Sequence, residues 1–271
     1  MEVRKAVILA AGLGKRFYPL TRAQPKEMLP VLDKPVIHYV VEEALKSGLD
    51  TILVVVGKGK DAIINYLDKN FLDETMASQE FKEWPEIFFV RQREPLGSGD
   101  ALKCAKRFVG EDPFVLLLGD TIYKSHTDET VTAQILKTFY KVHAPTIALE
   151  KVEKNKIKDY GIIDGKEEAN GTWKISHLVE KPEPDRAPSN LGVTGIYVLD
   201  KSIFECLDAI KPGRNDEYQI TDALELMAKR HALYGTEFSG ERYDIGTKEL
   251  WVKWFIKFAG EDKRFSRFLG K

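Results

Sequence analysis

Residues 4–16 read RKAVILAAGLGKR: an apolar run from Ala6 to Ala11 that ends in two glycines and two cations. An unbroken apolar run of this length, closed by a turn, is the pattern of a strand buried on both faces, as in a parallel sheet. The pattern returns at 51–56 (TILVVV), 87–91 (IFFVR) and 114–118 (FVLLL). Between the first two lies DKPVIHYVVEEALKSG (33–48), where Val36, Val40 and Ala44, beside Ile37, Val41 and Leu45, fall on one helical stripe. Pro35 opens that helix and Gly48 closes it. Residues 59–69 and 98–109 repeat the helical pattern. This alternation predicts right-handed βαβ units and a doubly wound, mostly parallel α/β sheet of Rossmann-like type. The first apolar stretch has signal-peptide length, but its glycines and the following Lys15-Arg16-Phe17 fit a strand and loop better than a cleaved signal.

After about residue 145 turn signals become frequent (YGIIDG, EANGTW, KPEPDRAPSN). Residues 173–180 and 191–199 still read as strands, and 201–209, 218–230 and 247–259 as helices. The last places Leu250, Trp254 and Phe258 beside Trp251 and Phe255. No internal repeat or low-complexity linker divides the 271 residues, so one domain is expected, with a β-rich lobe and C-terminal helices. Lys and Arg total 41 against 42 Asp and Glu, which gives no global basic excess for nucleic acid. Apolar runs of about half a dozen residues fall far short of the roughly 18 needed to span a bilayer. Cys104 and Cys206 alone make neither a disulfide framework nor a zinc site, and are expected as reduced thiols in helices. The composition fits a cytoplasmic protein without a membrane or nucleic-acid partner.

In an open parallel sheet, ligands bind beyond the carboxyl ends of the strands. Two features fall there. The segment Ala10-Ala11-Gly12-Leu13-Gly14-Lys15-Arg16, followed by Lys26 and Glu27, combines small residues that let backbone N–H groups approach phosphates with three cations. It is not a P-loop, because Arg16 follows Gly14-Lys15 and one residue separates the glycines. It is not the dinucleotide fingerprint either, because Phe17 stands where a third small residue belongs. The second feature is Gly119-Asp120 directly after FVLLL, where a carboxylate is a candidate hard-cation ligand or a turn residue. Asp244, in RYDIGT, is a second candidate.

The blocks GLGKRFYPLT (12–21), PKEMLPVLDKP (25–35), RQREPLGSGDA (91–101), LLGD, YGIID, VEKP, APSNLGVTGIYVL, NDEYQITDA and YDIGTKELW closely resemble, in order and over nearly the whole chain, the bacterial UTP–glucose-1-phosphate uridylyltransferases. The resemblance implies a Mg²⁺-dependent nucleotidyltransferase that turns UTP and α-D-glucose 1-phosphate into UDP-glucose and pyrophosphate. By that resemblance Arg16 and Lys26 hold the triphosphate and departing pyrophosphate. Ala10, Ala11, Gly12, Gly14, Lys15 and Glu27 line the nucleotide, with Gln92 and Gly97 at the uracil edge. Asp120 and Asp244 match the metal carboxylates, and Asp120 borders the nucleotide as well. Gly161, Glu180, Val193 and Glu217 fall on the sugar side, and Lys181 on the sugar phosphate. About 1–145 would then be a nucleotide-binding half, 146–246 a sugar-binding half and 247–271 a helical extension.

The residue types suit that chemistry. Two anionic reactants need charge neutralised and water excluded, and an ionised phosphate oxygen needs no general base. His38 is accordingly expected to be structural. Glu180 and Lys181 precede Pro182, where the chain leaves the pleat and both can face a cleft. The sequence departs from the family's habit at Lys15, where Thr is usual, at Asp100, where His is usual, and in a shortened segment at 57–86. These departures leave the metal and phosphate residues intact but keep open a glucose-1-phosphate thymidylyltransferase using dTTP; a non-catalytic regulatory paralogue would be expected to lose Arg16, Lys26 or one of the aspartates, and an NAD-dependent oxidoreductase lacks its fingerprint here. Trp251, Trp254, Phe255, Phe258, Phe265 and Phe268 make an apolar face that suits either the core or a homodimer or homotetramer interface.

Overall fold

Successive side chains of a strand point to opposite faces, and in the run at 5–11 both faces are sealed: Val7, Leu9 and Ala11 enter one core and Ala6, Ile8 and Ala10 another. The computed structural model describes residues 2–68, 84–169, 171–213 and 216–270. In chain order its elements are β1 (Lys5–Ala10), β2 (Pro30–Val31), β3 (Lys34–Pro35), α1 (Val36–Lys46), β4 (Thr51–Val56), α2 (Asp61–Leu67) and β5 (Glu86–Arg91). There follow α3 (Ser98–Lys103), α4 (Lys106–Val109), β6 (Phe114–Leu118), β7 (Thr121–Ser125), α5 (Val131–Val142) and β8 (Thr146–Lys151). The rest are β9 (Gly161–Ala169), β10 (Thr172–Glu180), β11 (Leu191–Leu199), α6 (Ser202–Ala209), α7 (Ile220–Arg230), β12 (Tyr234–Glu237), β13 (Gly240–Asp244) and α8 (Lys248–Glu261).

The main sheet runs β5-β4-β1-β6-β11-β8-β12-β10-β9. Its first four strands are parallel, as the apolar runs predict. Beyond β6 the pairing is mixed: β11 is antiparallel to β6 and β8, and β12 is parallel to β8. β10 is antiparallel to β12 and β9, and a pairing of Gly192 with Ile162 joins β11 back to β9, closing the β-rich lobe. Helices α1, α2 and α5 cover one face of the sheet; α3, α4, α6 and α7 cover the other. Each fully buried aliphatic side chain in these layers contributes about 1.5–3 kcal/mol, which fixes the strand ends that carry the site.

Three readings change. The strand at 87–91 is not buried on both faces, because β5 is the sheet edge and Phe88 is 42% exposed. The helix expected over 98–109 breaks into α3 and α4 where Cys104 and Ala105 make tighter i→i−3 bonds to Ala101 and Leu102. YGIIDG is not a turn: from Gly161 it is the start of β9. Of the segments expected to be shortened or helical at 57–86, residues 69–83 lie outside those described. Among the described residues no helix is long and apolar enough to cross a membrane. Cys206 is buried and Cys104 partly so, both free.

Helix α8 is anchored rather than loose. Trp251, Trp254 and Phe258 pack with Phe17, Leu29, Val31, Ile122, Tyr243 and Ile245. Trp251 Nε1 donates to the Pro30 carbonyl at 2.8 Å and Trp254 Nε1 to the Asp244 carbonyl at 3.0 Å. The opposite side of the C-terminal region leaves Val252, Ile256, Phe268 and Leu269 exposed.

Candidate active site

The carboxyl ends of β1, β4 and β6 lie side by side, with Ala10 opposite Val56 and Leu9 opposite Leu118. Their loops touch backbone to backbone. A Cβ on Gly57 would stand 2.7 Å from the Ala11 carbonyl oxygen, and one on Gly119 2.9 Å from that of Leu9. The methyl groups of Ala10 and Ala11 are buried, so this loop presents backbone. Gly12 sits over the Lys26 side chain, and Gly14 adopts φ 63°, where a Cβ would strike Thr21 at 2.8 Å. Lys15 and Arg16 follow in a short 3₁₀ turn with exposed side chains.

A charged cluster forms next to this loop. Lys26 Nζ bonds Asp120 Oδ2. The β7–β13 ribbon sets Asp244 opposite Thr121, and the Ile245 N–H donates to the Asp120 carbonyl at 2.9 Å. The two aspartates, 124 positions apart in the chain, thereby become neighbours. Burial and the Asp120 charge push the Asp244 carboxyl up, with Arg242, Lys26 and Arg16 opposing. Burial pushes Asp120 up too, but Lys26 outweighs it and the carboxyl is held below its ordinary value. For Lys26, burial is outweighed by Asp120 and Glu27, which keep it protonated. Two carboxylates repelling each other beside a glycine loop are hard oxygen donors that suit Mg²⁺, which commonly takes one or two carboxylates and completes its shell with water and phosphate oxygens. Among the described residues no group of three or more His, Cys, Asp or Glu forms a metal cage.

Glu27 is not on the open side. Its side chain is 1% exposed and accepts from Lys60 Nζ at 2.6 Å, so it braces the loop from within. Gln92, the first residue after β5, is buried; its Nε2 donates to the Gly97 carbonyl at 3.1 Å and to Asp100 Oδ2 at 2.8 Å. Gly97 has φ 105°, and a Cβ there would meet the Tyr218 carbonyl at 2.5 Å and Glu217 Cβ at 3.0 Å. Glu217, expected on the sugar side, therefore stands against the Gln92 loop, where it accepts from Gln219 Nε2 at 2.8 Å.

The remaining residues gather at the β-rich lobe. Glu180 ends β10 opposite Gly161, and a Cβ on Gly161 would approach Glu180 Oε2 to 3.4 Å. Lys181 turns out of the pleat at φ 48°, donates its N–H to the Tyr160 carbonyl at 2.9 Å and pairs with Glu180 at 2.9 Å. Val193 faces Leu149 across β11 and β8 and is half-buried. Sequence reasoning missed the link between this lobe and the aspartates. Arg242 donates from Nε to Glu150 Oε1 at 2.9 Å, bonds Tyr160 Oη, and lies 3.9 Å from Asp244 Oδ2. A signal was present: Arg242 stands two residues before Asp244 on one strand, hence on the same face. His38 is buried and bonds Tyr66 and Glu42, a structural placement.

Residues 5–257 match the family model described as Nucleotidyl transferase. The chain belongs to the nucleotidyl transferase family. This nucleotidyl transferase is 41% identical over 280 residues to a UTP–glucose-1-phosphate uridylyltransferase of Streptococcus pyogenes, covering 96% of the chain and 90% of that relative. Among solved structures, a UDP-glucose pyrophosphorylase complexed with UDP-glucose superposes with TM-score 0.90 at 36% identity, covering 96% of the chain and 100% of that one. A UTP-bound UGPase from Acinetobacter baumannii gives TM-score 0.87 at 33% identity, covering 99% and 98%.

Proposed function

We propose that this nucleotidyl transferase is an enzyme that converts UTP and α-D-glucose 1-phosphate into UDP-glucose and pyrophosphate. The observation that carries the reading is the Lys26–Asp120–Asp244 cluster, set between the glycine loop after β1 and the lobe that carries Glu180 and Lys181. The relatives' names and the UTP- and UDP-glucose-bound structures supply the substrates.

In this reading the uracil edge meets Gln92 and the Gly97 loop, and the triphosphate lies along Ala11, Gly12, Gly14 and Lys15. Glu180, Gly161 and Val193 hold the glucose, while Lys181 holds its phosphate. A sugar-phosphate oxygen attacks the α-phosphorus in line and pyrophosphate leaves from the opposite side. Arg16 and Lys26 neutralise charge that develops on the leaving group, by positioning and electrostatics without a covalent enzyme intermediate. Asp120 and Asp244 would hold Mg²⁺, which when bound polarises the phosphate oxygens. Because Lys26 already satisfies Asp120, triphosphate and carboxylate share one cation. Arg242 stays charged because the Glu150 and Asp244 carboxylates offset its burial, so it spans the lobes as a fixed positive centre.

The nucleotide half at about 1–145, the sugar half at 146–246 and the extension at 247–271 follow from this assignment, as does a cytoplasmic setting where both substrates occur. The exposed Val252, Ile256, Phe268 and Leu269 fit self-association as a homodimer or homotetramer, and a 31 kDa particle in light scattering at micromolar concentration would refute that. Pyrophosphate release with Mg²⁺ and glucose 1-phosphate, compared between UTP and dTTP, tests the reaction and the donor together.

A further inference from the structure

The side-chain amide of Gln92 is held in one orientation by two groups that only accept. Its Nε2 donates to the Gly97 carbonyl at 3.1 Å and to Asp100 Oδ2 at 2.8 Å. Exchanging Nε2 and Oε1 would set an amide oxygen against a carbonyl and a carboxylate, neither of which carries a proton. The network therefore assigns the amide by chemistry. The Gly97 carbonyl has no capacity to spare, since it also accepts from the Ala101 N–H at 3.1 Å. Gln92 is 5% exposed, yet its Oε1 is not among the sealed polar atoms that lack a partner, and it has no hydrogen bond to any described residue. What Gln92 offers outward is thus an acceptor.

We infer that Asp100 is a positioning residue for base choice: by locking Gln92 it makes the base pocket present an acceptor to the pyrimidine edge. The inference rests on the proposed contact of Gln92 with the base. On the edge of uracil that carries N3, the two carbonyl oxygens accept and N3–H alone donates, so an acceptor from the protein meets N3–H. Cytosine places a bare N3 lone pair at that position and is repelled. Thymine keeps the imide N–H, so this lock does not separate UTP from dTTP. It separates both from CTP. Asp100 stands where it can do this because it lies in the first turn of α3, eight residues after Gln92, while the glycine at 97 lets the chain fold back between them.

The test is the ratio of kcat/KM for UTP to that for CTP, read by pyrophosphate release with glucose 1-phosphate, in the wild type, Asp100→Asn and Asp100→Ala. An asparagine can donate to Gln92 Oε1 and let the amide turn; an alanine leaves only the Gly97 carbonyl to hold it. Losing one hydrogen bond to a charged group should lower the UTP:CTP ratio by about tenfold in either variant, with the KM for glucose 1-phosphate unchanged. Both nucleotides are measured on one preparation, so any loss of folded protein cancels in the ratio. An unchanged ratio in both variants overturns the inference even if total activity falls, because that is the behaviour of a merely structural residue. Wild-type turnover of UTP with no preference over CTP also overturns it, while leaving the uridylyl reading intact. No release by the wild type with UTP, dTTP or CTP overturns the uridylyl reading, and this inference with it.

Discussion

Lys60 Nζ donates to Glu27 Oε2 at 2.6 Å, and both side chains are almost sealed from solvent. The bond ties the start of α2 to the 3₁₀ turn at Lys26–Met28, and so fixes the backbone from which Lys26 reaches Asp120. Burial pushes the Glu27 carboxyl up and the Lys60 ammonium down, while their mutual attraction opposes both. Removing one partner strands the other, which typically costs about 3–5 kcal/mol, whereas replacing both with apolar groups is often neutral. Lys60→Met should therefore lower the unfolding free energy by that order, and Lys60→Met with Glu27→Leu should recover most of it. Urea denaturation of the three proteins checks this, and a double variant as unstable as the single would contradict it.

Arg16 offers a cleaner separation of function from folding. It is exposed and makes no hydrogen bond or ion pair with another described residue, yet its charge reaches Asp244. Arg16→Ala should lower kcat for pyrophosphate release by about 10²–10³, roughly 3–4 kcal/mol of transition-state stabilisation by analogy with single oxyanion donors. Its urea midpoint should not move. Near-normal turnover, or a collapse in stability, would remove Arg16 from the proposed machinery.

Glu42 carries the clearest pH signature. Burial pushes its carboxyl up, but hydrogen bonds from His38 and Lys34 and the nearby charge of Lys46 outweigh that and hold it at about 2 against an ordinary 4.5. A depressed carboxyl stabilises the fold fully above pH 4.5 and loses that contribution as pH falls toward 2. The gap between wild type and Glu42→Gln should be at most about 3 kcal/mol at pH 7 and about half that near pH 3. Chemical denaturation at both pH values measures it; a gap that does not shrink in acid would show that the carboxylate charge is not what stabilises this helix.

Gly97 requires φ 105° and closes on the Tyr218 carbonyl. Gly97→Ala is strained both ways, so the Gln92 loop must shift. The KM for UTP should rise by tenfold or more, roughly 1.4 kcal/mol or above, while the KM for glucose 1-phosphate stays put. Steady-state kinetics with each substrate varied in turn decides the point, and equal rises in both would mean a general disturbance.

What the sequence disclosed follows burial. The runs at 51–56, 114–118 and 191–199 coincide with β4, β6 and β11 because strands sealed on both faces are apolar throughout. That β5 is an edge is not legible in IFFVR, since which strand lacks a neighbour is a property of the whole sheet. Helix α5 went unread, although Thr130 caps it by accepting from the Ala133 N–H at 3.0 Å. Asp120 was legible locally, as a carboxylate directly after an apolar strand. Asp244 was only a secondary candidate from its place in RYDIGT until the resemblance matched it to a metal carboxylate, because its meeting with Asp120 is made by the non-local pairing of β7 with β13. The inward turn of Glu27 was hidden for a different reason: three residues of 3₁₀ helix decide which side a carboxylate faces, and PKEML carries no period that reveals it.

The most direct test of the central claim is pyrophosphate release from the purified protein with Mg²⁺ and glucose 1-phosphate, using UTP and dTTP in parallel and Asp120→Ala as control. The account predicts rapid release with UTP that is lost in Asp120→Ala. Release that survives in Asp120→Ala would contradict the proposed metal site, and no release with UTP from the intact protein would contradict the proposed reaction.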